Sequence, residues 1–60
     1  MSPETIKEII KSHVYGMSNA EIAQAYDISE EEAAKVISDN ADEVEAERAY
    51  RAILEGGDGV

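Results

Sequence analysis

Ser18-Asn-Ala-Glu-Ile-Ala-Gln-Ala-Tyr-Asp-Ile-Ser-Glu-Glu-Glu-Ala-Ala-Lys-Val-Ile37 is the stretch that decides how this chain folds. It holds two helix starts of one pattern, a serine followed three residues later by glutamate: Ser18 with Glu21, and Ser29 with Glu32. In that spacing the serine hydroxyl accepts from a backbone N–H of the first turn, while the glutamate reaches back to the N–H of the serine, so both are read as reciprocal capping boxes. Ile22, Ala23 and Tyr26 follow the first start, and Ala33, Val36 and Ile37 the second, each set forming one apolar face at helical spacing. Helices are therefore predicted near 19–26 and 30–38, with Ile28 plugging the turn between them and small alanines letting the two axes approach.

Toward the N-terminus, Ser2 before Pro3 reads as a cap followed by proline at the first helical position, where its missing N–H costs nothing. Ile6, Ile9, Ile10, His13 and Val14 then form one stripe, and Gly16 ends a helix near 3–15. Toward the C-terminus, Asn40 with Glu43 is an asparagine variant of the same box and starts a helix near 41–55, with Val44, Ala49, Ile53 and Leu54 on its buried face. Gly56, Gly57, Asp58, Gly59 and Val60 read as a flexible tail. No period-two pattern competes. The expectation is an all-α, small three- to four-helix domain over residues 1–55, with a flexible segment at 56–60. The caps at Ser18, Ser29 and Asn40 are evenly spaced, yet the residues between them do not repeat.

A chain of 60 residues makes one domain with a thin core. Without cysteine it has no disulfide and no thiolate metal site, so packing, capping or a partner must stabilise it. No apolar run reaches the length of a membrane span, and Met1 to Glu8 lack the features of a signal peptide, so a cytoplasmic protein without membrane contact is expected. The net charge is −9, and most of it sits in one block. Between residues 29 and 47, Lys35 alone stands against Glu30, Glu31, Glu32, Asp39, Asp42, Glu43, Glu45 and Glu47. Such a block repels nucleic acid and attracts basic surfaces.

The segment Ser18 to Ile37, extended by Gly16-Met-Ser-Asn-Ala-Glu-Ile-Ala23, resembles the helix-turn-helix of bacterial regulators and sigma-like domains. The likeness covers a third of the chain and lies in the spacing of inward residues. Asp27 stands where that family usually has glycine, and aspartate tolerates the left-handed conformation better than most residues. The resemblance implies that the second helix faces DNA, its N-terminal residues meeting base edges. Here those positions are Glu30, Glu31 and Glu32. Glutamates in a first turn also meet the positive end of the helix dipole, which explains them as a solvated cap without any partner. That account does not explain why Glu30, Glu31, Asp39, Asp42, Glu43, Glu45 and Glu47 are offset by so few lysines or arginines.

Catalysis and metal binding are not expected. His13 is the only histidine and lies on an apolar stripe, no nucleophile is set beside a base, and the spaced ligands and glycine of a calcium loop are missing. No cofactor is implied. Tyr15, Tyr26 and Tyr50 are each expected to close an edge of the core. Tyr50 also lies in a broad stripe with Ala46, Ala49, Ile53 and Leu54, with Arg48 and Arg51 expected as an interface rim.

Three functional readings follow. In the first, a small acidic regulatory protein uses Glu30, Glu31, Glu32, Asp39, Asp42, Glu43 and Glu47 against a basic protein surface, one that itself handles nucleic acid, with Tyr50 as an apolar anchor. Small phage or accessory regulators compete for surfaces in this way. In the second, a DNA-binding regulator contacts phosphate through Lys7, Lys11 and Lys35, with Asn19 and Gln24 adding polar contacts. In the third, the charge serves solubility and the last helix pairs with a second copy as a homodimer.

Overall fold

A computed structural model of the chain describes residues 1–56 and is all-helical: α1 Pro3–Val14, α2 Asn19–Tyr26, α3 Glu30–Asp39 and α4 Ala41–Leu54. There is no strand among the described residues. The tail expected from Gly56 onward falls mostly on residues 57–60, which lie outside the described residues.

Local chemistry sets each boundary. The Ser2 hydroxyl accepts from the Thr5 N–H at 3.2 Å, and Pro3 takes the first turn of α1. At the other end Gly16 has φ +106°, the Gly16 N–H donates to His13 O at 3.1 Å and the Met17 N–H donates to Ser12 O at 3.0 Å. These two bonds form a Schellman cap, and the same turn delivers Met17 to the core. α2 starts with the expected reciprocal box: Glu21 N–H donates to Ser18 Oγ at 3.1 Å and Ser18 N–H donates to Glu21 Oε1 at 2.8 Å. It ends on Asp27 in the left-handed region, φ 58° and ψ 47°, where the Ile28 N–H donates back to Ala23 O at 3.0 Å. Asp27 thus performs the turn for which glycine is the usual choice.

Of the other two expected boxes, that of Ser29 forms in part and that of Asn40 does not form. Ser29 accepts from the Glu32 N–H at 3.0 Å, but Glu32 returns no bond and remains exposed beside Glu30 and Glu31. Asn40 makes no side-chain cap for α4. Its Nδ2 donates backward to Val36 O at 2.7 Å and so closes the C-terminus of α3. The cause is the backbone: Asn40 is the one residue between α3 and α4, and its φ −118°, ψ 38° is not the extended conformation from which a cap side chain reaches forward.

The core has two lobes. Ile9, Ile22 and Ala33 are completely buried where α1, α2 and α3 meet, with Met17, Tyr26, Ile28, Val36 and Ile37 packed around them. Ile10, Val14 and Val44 form the second lobe between α1 and α4, flanked by Ile6 and again by Ile37, which joins the two. Ala33 at a helix contact lets α3 approach closely, as its small size predicts.

α4 departs from expectation. Of the four residues assigned to its buried face only Val44 is buried; Ala49 is exposed, Ile53 is 69% exposed and Leu54 59%. The helix runs parallel to α1, bringing His13 to Arg48 and Val14 to Arg51. Since α1 ends at Val14, the last turn of α4 continues beyond anything able to cover it. The tyrosines divide accordingly. Tyr26 closes the edge of the first lobe, with its hydroxyl 3.5 Å from Ser12 Oγ, while Tyr15 and Tyr50 are more than half exposed.

Candidate functional site

The outward side of α3 follows from its inward side. With Ala33 fully buried and Val36 and Ile37 half-buried against the core, Glu30, Glu31, Glu32, Ala34, Lys35, Ser38 and Asp39 are left facing water. Four of those seven are acidic, and the single cation is engaged: Lys35 Nζ donates to Asp39 Oδ2 at 3.0 Å, one turn along the helix. Both side chains are well exposed, so the pair adds little stability, yet it leaves no uncompensated positive charge on this face.

A second acidic group surrounds the junction of α3 and α4. Asp39, Asp42 and Glu43 line one open depression together with Ser38, Asn40 and Ala41. From there Glu43 and the half-buried Glu47 continue along α4 into a shallow groove of about 210 Å³ that they share with Lys7, Ile10 and Lys11 of α1. The acids that are contiguous in sequence are therefore two groups in space. The first turn and the last turn of α3 stand roughly 13 Å apart at a rise of 1.5 Å per residue. Tyr50 lies one turn beyond Glu47, exposed.

The residues assigned to phosphate contact are dispersed. Lys7 and Lys11 lie on α1 beside Glu43 and Glu47, Lys35 is bound to Asp39, Asn19 is half-buried at the start of α2, and Gln24 is exposed on that helix. All three lysines thus stand within an acidic neighbourhood, which offsets the field that phosphate binding requires.

Arg48 and Arg51 do not rim the Tyr50 stripe as expected; they turn toward α1. Arg51 Nη1 donates to Val14 O at 2.9 Å, Nε donates to Glu55 Oε2 at 3.0 Å, and the guanidinium stands 4.8 Å from the centroid of the Tyr15 ring. A cation on the last carbonyls of a helix is favoured by both the free acceptors and the dipole. Arg48 Nη2 lies 3.4 Å from His13 Nε2, a long contact in which arginine can only donate, so the imidazole nitrogen accepts. The periodicity that marks this arrangement is present in the sequence: Val44, Arg48, Arg51 and Glu55 recur at helical spacing, on the side opposite Ala46, Ala49 and Ile53. Two stripes compete for one helix. The reading of its apolar stripe as the buried one missed the free end of α1, which needs the arginine.

No group of three or more acidic or histidine side chains among the described residues gathers closely enough to hold a metal ion. No described helix is long and apolar enough to cross a membrane. The depressions among the described residues are shallow, one of about 330 Å³ lying over Ser38 to Glu43. Comparison of the chain with family models, curated proteins and solved structures finds no match.

Proposed function

We propose that this chain is a non-enzymatic regulatory module which uses a helix-turn-helix-like scaffold to bind a basic protein surface. The observation that carries the reading is the outward face of α3: the helix that the resemblance assigns to DNA presents Glu30, Glu31, Glu32 and Asp39, and its one lysine is bound to one of those acids. Phosphate contacts supply most of the affinity of DNA binders, so a face of this sign opposes DNA and favours a partner carrying lysine and arginine. Glu30 to Glu32 supply one pole of the field, and Asp39, Asp42, Glu43 and Glu47 supply the other. The partner class that complements such a surface is a protein whose own basic face binds nucleic acid.

The test uses two labelled probes in anisotropy titrations, a mixed-sequence DNA duplex and a flexible lysine–serine peptide, each at low and at physiological salt. The expected result is affinity for the peptide that falls as salt rises and no affinity for the duplex. The triple variant E30Q/E31Q/E32Q removes charge without setting cations against the helix dipole, and it should weaken peptide binding while helicity stays unchanged. Salt-sensitive binding of the duplex by the unaltered chain would overturn the reading in favour of a DNA regulator.

A further inference from the structure

α4 presents its apolar residues outward. Ala46, Ala49, Tyr50, Ile53 and Leu54 are all exposed, with Tyr50 at 55% and Ile53 at 69%, and their spacing places them along one side. The helix cannot bury this stripe by rolling toward α1, because Val44 in the second core lobe and the bond of Arg51 to Val14 O fix its rotation. Ala46 and Ala49 leave a low saddle beside Tyr50 and Ile53, the relief that a second helix uses for close approach. Asp42, Glu43 and Glu45 border the N-terminal half, all exposed.

The border decides the occupant. A second copy laid antiparallel would bring these acids over the C-terminal half of α4, whose arginines face away toward α1; laid parallel, it would set acid against acid. Each copy also carries a net −9. An anionic membrane surface is repelled for the same reason as a second copy. A basic amphipathic helix satisfies both halves, its apolar side chains on the saddle and its lysines or arginines on the acidic border.

We propose that the outward face of α4 docks a basic amphipathic helix of the partner protein. This rests on the basic-partner reading above and names the element by which that partner is held. Ile53 and Tyr50 are the apolar contacts, Ala46 and Ala49 the close-approach positions, and Asp42, Glu43 and Glu45 the charged border.

The experiment titrates the full chain with a labelled leucine–lysine peptide of about five helical turns, its leucines at three- and four-residue spacing, and with a peptide of the same composition in scrambled order. The patterned peptide should bind at least about tenfold more tightly than the scrambled one. Ile53→Asp should erase that difference, although the added negative charge would by itself strengthen attraction to lysine; Tyr50→Ala should reduce it. Both positions are exposed, and circular dichroism checks that the helices persist. E30Q/E31Q/E32Q should leave the preference for the patterned peptide intact. Equal binding of the two peptides, unaffected by Ile53→Asp, would overturn the docking while leaving the basic-partner reading in place. Binding of neither peptide would overturn both. A sedimentation mass that doubles with concentration, and reverts in Ile53→Asp, would assign the stripe to a second copy and overturn the partner helix.

Discussion

The two ends of α4 are held by opposite means. At its start Val44 is buried with Ile10 and Val14, in a lobe that Ile37 connects to the completely buried Ile9, Ile22 and Ala33. Past Glu47 the apolar residues face water, and the helix is fastened to α1 by Arg51 and more loosely by Arg48. Dispersion and water exclusion hold the first region, directional polar bonds the second. A small core thus goes as far as α1 extends, and beyond that point an exposed apolar face can be presented without threatening the fold. The same residue type should therefore have different worth in the two regions.

The largest effect is expected from Ile22→Ala, which opens a void where α1, α2 and α3 meet. Loss of a buried isoleucine costs about 2–5 kcal/mol, a large fraction of the stability available to a domain this small. Ile53→Ala removes the same atoms from a side chain that is 69% exposed and should shift stability by no more than about 0.5 kcal/mol. Urea unfolding followed by circular dichroism measures both. Similar costs at the two positions would mean that α4 is covered along its whole length in solution.

Asn40→Asp tests the boundary between α3 and α4. Sequence pattern assigns Asn40 to the start of α4, where aspartate serves equally well, and that assignment makes the substitution neutral. In the fold its Nδ2 donates to Val36 O at 2.7 Å. Aspartate removes the donor and places a carboxylate against the carbonyl end of α3, so a loss of about 1–2 kcal/mol is expected. The deficit should shrink at a pH low enough to protonate the new carboxyl. An unchanged midpoint at neutral pH would return Asn40 to the role that its spacing implies.

All four helices, the αL turn at Asp27 and most of the core were legible in the sequence, because the caps at Ser2, Ser18 and Ser29 and the isoleucine spacings are local signals that tertiary contacts did not override. What was not legible depends on register between distant segments. The spacing within α4 offers two competing stripes, and only the parallel run of α4 along α1 decides that Arg51, and not Ile53, meets the end of α1. Asn40 was misread for a related reason: a single linking residue can serve only one of the helices it joins, and its backbone angles made the choice. Among the candidate site residues, the exposure of Glu30 to Glu32 was legible from the burial of Ala33, whereas the engagement of Lys35 with Asp39 and the placing of Lys7 and Lys11 beside Glu43 and Glu47 came with the structure.

A smaller loss than at Ile22 or Asn40 is expected from Arg51→Met, and it is the most specific to the comparison. Methionine keeps much of the length and apolar stem of arginine but loses the bond to Val14 O, the pair with Glu55 and the cation over Tyr15. The Arg51 side chain is about one-third exposed, and water partly replaces what is lost, so the global cost should be only about 0.5–1 kcal/mol. The local consequence should be larger than that figure implies. With the second half of α4 held mainly at this residue, amide hydrogen exchange should accelerate from Arg48 to Leu54 while the amides around Ile9 and Ile22 keep their protection. Uniform acceleration through both regions would show that α4 opens only when the whole domain unfolds, and the division between a packed start and a polar-fastened end would then be one of structure alone and not of stability.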